Sequence, residues 1–152
     1  MAGPLAEPAR RARCACGQIE LHASGEPRRV GLCHCLDCRK RHAAPVSAFA
    51  IFSRTSVALT GPERGPLPHE ALRTFQSQTG YREAFCTRCG AHVFGVIDRS
   101  DEIELFLGSF DEPNVFTPTY ELWTVRRESW LPPFPLARRY ERDRDATHRF
   151  EE

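Results

Sequence analysis

The chain has 152 residues, of which 41% are hydrophobic and 27% charged, and its formal net charge is +1. These values are ordinary for one globular domain, and so balanced a charge argues against a nucleic-acid or membrane-surface partner. No apolar run approaches the roughly 18 residues of a membrane span, and the basic start lacks the apolar core of a secretory signal. We therefore predict a cytoplasmic protein with reduced thiols.

The predicted elements are short β-strands between two flexible ends. Residues 1–12 are polar and aperiodic, and residues 141–152 are dense in both charge signs, so we expect tails around one domain over residues 13–140. Apolar, aromatic or β-branched runs of strand length follow in chain order: Ala48 to Phe52, Leu72 to Gln76, His92 to Ile97, Ile103 to Leu107 and Tyr120 to Val125. No segment carries a helical stripe of three turns. The predicted fold class is all-β.

Seven cysteines occur in three groups: Cys14 and Cys16, then Cys33, Cys35 and Cys38, then Cys86 and Cys89. Zinc takes about four ligands at close range, so its thiolates come in tight local groups. Residues i and i+2 of an extended strand face the same side, so each Cys-x-Cys pair can face one metal, whereas His34 turns the other way. Gly90 permits the positive φ that a Cys-x-x-Cys turn often requires. The odd count and the missing secretory signal argue against disulfides.

The seven thiols divide naturally into four and three. A structural zinc takes four protein ligands, whereas a reactive zinc keeps one position open. We expect a closed structural site made by two distant pairs, Cys14, Cys16, Cys86 and Cys89. We expect a second zinc, with an open position, on the local trio Cys33, Cys35 and Cys38. The alternative is that both ions only hold the fold, with His34 or a distant residue completing the second site.

Two further features near the trio have competing interpretations. Arg39, Lys40 and Arg41 could meet the carboxylates of a small substrate, but a solvated basic loop that offsets the thiolate charge is the preferred interpretation. His34 is expected to be a supporting or surface histidine rather than a proton shuttle, because it faces away from the trio.

Other aromatic and histidine residues receive weaker interpretations. Three aromatic residues are expected to pack in the core or at its rim rather than to form a substrate platform: Trp123, Trp130 and Phe134. Four histidines belong to no motif, so the sequence assigns them no role: His42, His69, His92 and His148.

The ordered cysteine motifs resemble one known family. Cys-x-Cys-Gly, then Cys-His-Cys-x-x-Cys, then Phe-Cys-x-x-Cys-Gly is similar to the glutathione-dependent formaldehyde-activating enzyme (GFA) family, which includes centromere protein V-like zinc proteins. Other stretches between residues 13 and 140 fit the same pattern: Ser24-Gly25-Glu26-Pro27, Ala44-Pro45, Asp101-Glu102-Ile103, Leu107-Gly108-Ser109-Phe110-Asp111, Glu121-Leu122-Trp123-Thr124 and Ser129-Trp130. The resemblance implies a small, zinc-binding, Mss4-like (β-tent) domain and the same division of the cysteines between two zinc ions.

The resemblance also implies an activity. The family's named reaction joins glutathione to formaldehyde as S-hydroxymethylglutathione, and its reverse is a carbon–sulfur lyase reaction. It implies a small thiol and a small aldehyde as partners at the zinc of Cys33, Cys35 and Cys38. The alternative is a non-catalytic zinc scaffold or partner-binding protein with the same fold. A nucleic-acid zinc ribbon would need a strong basic bias, and a methionine sulfoxide reductase would need a cysteine after Cys89, where the sequence has none.

Overall fold

The computed structural model describes residues 9–77 and 80–144, which form two β-sheets and one short α-helix. The strands are β1 (Ala9–Arg13), β2 (Glu20–Ser24), β3 (Arg29–Cys33), β4 (Ser47–Ser53), β5 (Val57–Thr60), β6 (Leu72–Gln76), β7 (Tyr81–Cys86), β8 (His92–Ile97), β9 (Glu102–Phe106), β10 (Tyr120–Leu122) and β11 (Arg138–Arg139). The helix, α1, spans Leu36–His42. Short 3₁₀ turns lie at Arg54–Ser56, Pro62–Arg64, Leu107–Ser109 and Thr124–Arg126.

The small sheet has the strand order β1–β2–β5, and the large sheet has the order β11–β10–β3–β4–β9–β8–β7–β6. Pairing is antiparallel except where β10 runs parallel to β3 and to β11. The all-β prediction is confirmed. Among the described residues, no helix has the length and apolar character needed to cross a membrane.

The predicted strand runs each contain a strand, and one of them ends early. β10 stops at Leu122 because Trp123 adopts a left-handed backbone, with φ 58°, and starts a 3₁₀ turn. Six strands lie outside the predicted runs, namely β1, β2, β3, β5, β7 and β11. Three of them, β1, β7 and β11, are rich in charged residues, which a search for apolar runs passes over.

Order extends beyond the predicted domain limits at both ends. β1 begins at Ala9, four residues before the expected boundary, because its backbone pairs with β2 from Ala9 to Arg13. Near the other end, Trp123 donates from its backbone N–H to the carbonyl of Arg142 and from its indole N–H to Asp143. Residues 1–8 and 145–152 of the expected tails lie outside the described part of the chain.

The large sheet carries an apolar core on each face, because successive side chains of a strand point to opposite sides. The first core lies between the two sheets and includes Ala12, Leu21, Ala50, Phe52, Leu105 and Cys86. The second core includes Cys33, Phe49, Ile51, Phe106, Tyr120 and Trp123. The cysteine groups are thereby divided between the faces: Cys14, Cys16 and Cys86 adjoin the first core, whereas Cys33, Cys35 and Cys38 adjoin the second.

Candidate metal centres

The first cysteine cluster joins the end of β1 to the turn between β7 and β8. The sulfur atoms of Cys14, Cys16, Cys86 and Cys89 lie within 4.8 Å of one another. The Cys14–Cys16 and Cys16–Cys86 sulfur distances are 3.6 and 3.8 Å. The turn after Cys86 is closed by Gly90, whose N–H donates to the Cys86 carbonyl at 2.8 Å and whose φ is 72°. The expected positive φ at Gly90 is therefore confirmed.

The donor chemistry of this cluster fits a metal. All four residues are free cysteines, and four sulfur donors are the ligand set of a structural zinc. Burial raises the pKa of Cys14 to about 11. Burial also acts to raise the pKa of Cys86, but backbone N–H groups at Cys89 and Arg88 and the side-chain amide of Gln18 lower it to about 6. These hydrogen bonds therefore favour the thiolate form of Cys86, which is the form that binds a metal ion.

The second cluster lies where β3 meets α1. Cys33 is the last residue of β3, Cys35 is the N-cap of α1, and Cys38 lies in the first turn of the helix. The Cys35 sulfur accepts a hydrogen bond from the Cys38 backbone N–H at 3.3 Å. Strand and helix cap together bring three sulfurs within 4.8 Å of one another. The local trio predicted from sequence is therefore assembled by local structure.

Protons are shared unequally within the trio. Hydrogen bonds from Cys33 and Cys38 lower the pKa of Cys35 to about 3. The hydrogen bond with Cys35 raises the pKa of Cys33, and hydrogen bonds with Cys33 and then Cys35 raise the pKa of Cys38. One thiolate and two thiols in such proximity match a site where a metal cation replaces the remaining protons. The donor set, three soft sulfurs, fits zinc with one position left for another ligand.

His34 lies outside the trio, as expected from its position between two cysteines. Its side chain is fully buried, and its Nε2 atom lies 2.8 Å from Oε2 of Glu121, which pairs with Leu32 in the sheet. Arg139 donates to the other oxygen of Glu121 at 2.9 Å. His34 therefore supports Glu121 in the protein interior, and the alternatives of a surface histidine or a fourth metal ligand do not match this geometry.

The basic segment after the trio differs from the solvated loop that the sequence favoured. Arg39, Lys40 and Arg41 belong to α1, and Lys40 is exposed. Arg39 forms an ion pair with Glu128. The Arg41 side chain is only 12% exposed, and its Nη1 atom lies 2.6 Å from Oε2 of Glu83. Both arginines are held by carboxylates of the chain: Glu83 lies in β7 of the large sheet, and Glu128 lies in the loop after the last 3₁₀ turn.

A third group of potential ligands was not found by sequence reasoning. His42, Glu83 and His92 place ligand atoms within 4.8 Å of one another. Nε2 of His42 lies 2.9 Å from Oε1 of Glu83, and Nδ1 of His92 contacts the same oxygen. The three residues come from α1, β7 and β8 and form no spaced motif, so the sequence offered no local signal.

A cleft of about 380 Å³ adjoins this third group. Its lining includes His42, His92, Ser47, Phe106 and Arg13. Ser47 pairs with Cys33 across β3 and β4, so the cleft and the trio share neighbouring positions of the large sheet. Sheet register thus connects the cleft to the trio.

The three late aromatic residues have different environments. Trp123 is buried in the second core, as expected. Phe134 is half-buried beneath the guanidinium of Arg127, 5.6 Å from its ring centre. Trp130 is 67% exposed, so the expectation of packing is wrong for this residue, which lies in a turn after the last 3₁₀ segment.

Fold and site together define a small, open β-sheet protein with two clusters of cysteines that could hold metal ions. The family model described as glutathione-dependent formaldehyde-activating enzyme (GFA) matches residues 9–126, well over half of the chain. The chain belongs to this family, and the resemblance inferred from its cysteine motifs is confirmed, together with the small zinc-binding Mss4-like fold. A crystal structure of a Rhodobacter sphaeroides protein is similar, with a TM-score of 0.53 and 21% identity, over 69% of this chain and 91% of that one. That likeness concerns the fold alone.

Proposed function

We propose that this protein is a zinc-dependent carbon–sulfur lyase or synthase of the GFA type, which adds a small thiol such as glutathione to a small aldehyde. The observation that carries the proposal is the unequal division of sulfurs, four in one cluster and three in the other. Cys14, Cys16, Cys86 and Cys89 complete a structural site, whereas Cys33, Cys35 and Cys38 leave one coordination position open. Two zinc ions per chain and a cytoplasmic setting with reduced thiols accompany this proposal.

When bound to the trio, zinc supplies a position at which an incoming thiol is held as its thiolate. The chain's residues supply the surroundings. Nη2 of Arg41 lies 3.6 Å from the Cys38 sulfur, so its positive charge offsets part of the negative charge of three thiolates. The cleft is lined by Ser47, the strand partner of Cys33, whose hydroxyl can donate a hydrogen bond to an aldehyde oxygen. Addition forms one carbon–sulfur bond while the carbonyl π bond and the S–H bond break, and the thiol proton ends on the former aldehyde oxygen.

One observation favours the alternative of a non-catalytic zinc scaffold. The two arginines nearest the trio, Arg39 and Arg41, are paired with Glu128 and Glu83. They are therefore engaged within the protein and are not available as ready partners for the carboxylates of glutathione. A scaffold protein would hold a second metal that does not bind thiols. Thiol binding at the trio therefore distinguishes the two functions.

The test compares thiol binding and metal content in wild-type protein and in Cys35→Ser. Glutathione should raise the melting temperature of the zinc-loaded wild type, because a ligand of the native state stabilises it, whereas S-methylglutathione, which lacks the thiol, should not. Cys35→Ser should lower zinc from about two to about one per chain and abolish thiol-dependent addition to formaldehyde. Serine also caps helices well, so α1 is kept.

Lys40→Ala is the matched control on the same helix, because Lys40 is exposed. It should retain both zinc ions and the response to glutathione. Turnover that persists in Cys35→Ser would contradict the proposed function and favour the scaffold alternative. A wild-type melting temperature that no thiol changes would do the same.

A further inference from the structure

Three side chains from separate elements converge at one wall of the cleft. His42 is the last residue of α1, Glu83 lies in β7, and His92 begins β8. Two imidazole nitrogens and a carboxylate oxygen form a donor set that binds divalent transition-metal ions such as Zn²⁺, Co²⁺ or Fe²⁺. We propose that His42, Glu83 and His92 form a third metal site, separate from both cysteine clusters and open to the cleft.

The His42 ring is oriented as a metal ligand is. Its Nδ1 atom lies 2.7 Å from the hydroxyl of Ser47, and its Nε2 atom lies 2.9 Å from Oε1 of Glu83. In a metal-bound form, Nδ1 would donate its N–H to Ser47 and Nε2 would keep its lone pair for the metal. Histidine ligands usually donate their second ring N–H in this way, which fixes the tautomer and the ring plane. The edge contact with Phe106, at 4.5 Å between ring centres, fixes the plane further.

Glu83 divides its two oxygens between different partners. Oε2 forms an ion pair with Nη1 of Arg41 at 2.6 Å and accepts a hydrogen bond from the Tyr81 hydroxyl at 3.3 Å. Oε1 is left facing the nitrogens of His42 and His92. The side chain is only 2% exposed, so bulk water does not compete with the two histidines for this oxygen. A metal cation between the carboxylate oxygen and two nitrogen lone pairs satisfies all three atoms at once.

A β-bulge in β8 brings His92 to the site. The pairing of β7 with β8 shifts between Ala84, which pairs with Phe94, and Phe85, which pairs with His92. Val93 is therefore the extra residue, and both Val93 and Phe94 contact the first core. Without the shift, His92 would pair with Cys86 and face the first core. Bulges often re-aim a side chain beside a functional site, and here the bulge turns His92 toward Glu83.

The open side of the site faces the cleft. His42 and His92 both line it, and the His92 side chain is 34% exposed. Within the described residues the group supplies three ligand atoms, so further coordination positions are left for water or an oxygen-donor ligand. Nitrogen and oxygen donors are harder than thiolates, and this distinguishes the third site from the two sulfur clusters in its metal preference.

Cobalt uptake tests the proposal. Tag-free protein is first loaded with zinc until the cysteine clusters are full, and it is then titrated with Co²⁺. Zinc binds thiolate sites more tightly than cobalt, so the added cobalt reports on other sites. We expect about one further equivalent of cobalt, with weak visible bands and without the intense near-ultraviolet band of sulfur-to-cobalt charge transfer. Wild-type protein that takes up no cobalt beyond its zinc overturns the proposal.

His92→Ala and His69→Ala form the matched pair of variants. His92 is partly exposed, so its loss leaves the core intact, and His69 is an exposed histidine outside any cluster of the described residues. His92→Ala should lose the extra cobalt and keep its zinc, whereas His69→Ala should behave as wild type. His42→Ala is the second variant with the same expected loss. Cobalt uptake at the wild-type level in either cluster variant overturns the proposal.

This outcome is independent of the proposed thiol chemistry. Zinc content and the response to glutathione report on Cys33, Cys35 and Cys38, whereas the additional cobalt reports on His42 and His92. A protein that binds the extra cobalt but ignores thiols contradicts the proposed function alone.

Discussion

Arg41 links two groups of side chains that lie far apart in the sequence. One side of its guanidinium approaches the sulfur of Cys38, the other pairs with Glu83, and its plane covers the ring of Tyr81 at 4.4 Å. Burial acts to lower the pKa of Arg41, but electrostatic interactions with its acidic neighbours Tyr81, Glu83 and Cys38 outweigh it and raise the pKa. The residue therefore stays charged between the trio and the third site.

A second arginine–carboxylate pair gives a pH-dependent prediction. Arg29 donates both Nη atoms to Glu102, at 2.7 and 2.6 Å, and these bonds lower the pKa of Glu102. A carboxylate with a lowered pKa stabilises the native state above its unfolded pKa, roughly 4.3, and that contribution disappears as the pH falls through the folded value. Glu102→Gln should therefore cost about 1 kcal/mol at pH 7, since the pair is partly exposed.

The measurement is urea unfolding of wild type and Glu102→Gln at matched pH values from about 3.5 to about 7, a range that covers the titration of an ordinary carboxylate. Taking the difference between the two proteins cancels the loss of metal in acid. The gap should narrow toward low pH, and a gap that stays constant would show that Arg29 does not act through the charge of Glu102.

At the scale of elements, the C-terminus of α1 carries a local strain that a single substitution should relieve. Ala43 adopts a left-handed backbone, with φ 49° and ψ 41°, and its N–H bonds back to the last carbonyls of the helix. Glycine is favoured at such a position because it lacks a Cβ atom. Ala43→Gly should stabilise the zinc-loaded protein by about 1 kcal/mol. Ala44→Gly is the control, because Ala44 directly follows Ala43 and does not have a positive φ, and this change should be neutral or destabilising. Thermal melting of the two variants and the wild type makes the comparison.

The elements also show what the sequence could and could not predict. β4, β8 and β9 were found because their apolar residues are contiguous. β7 was missed because its sequence, YREAFC, carries Arg82 and Glu83, and the partners that make Glu83 acceptable in the interior come from α1 and β8.

The sites follow the same division between local and long-range information. The residues of the cysteine clusters occur in short sequence motifs, so spacing alone was enough to group them. The third site depends on a register shift in the pairing of β7 and β8 and on the packing of α1. Neither feature leaves a pattern in the sequence around His42 or His92, so only the assembled sheet reveals them.

At the scale of the whole molecule, the two sulfur clusters should differ in their contribution to stability. The four-cysteine cluster joins the small sheet, through Cys14 and Cys16, to the large sheet, through Cys86. The trio joins only β3 to α1, which are adjacent in the chain. Because a bound metal that closes long-range contacts contributes its binding energy to folding, Cys86→Ser should cost about 3 kcal/mol or more.

Cys35→Ser should cost clearly less than Cys86→Ser, although each variant loses one zinc. Melting of both variants with zinc present, and again after chelation, makes the comparison. Equal destabilisation would mean that the four-cysteine cluster does not hold the sheets together.

The large sheet separates the two cysteine clusters, which lie on its opposite faces. Cys89 meets solvent on one side and Cys35 is partly accessible on the other, so an ion entering from solution reaches each cluster by its own route. Neither cluster can pass its ion directly to the other through hydrogen-bonded backbone. We therefore expect the two sites to bind and release metal independently. A cell short of metal would then contain folded chains that carry only one of the two ions.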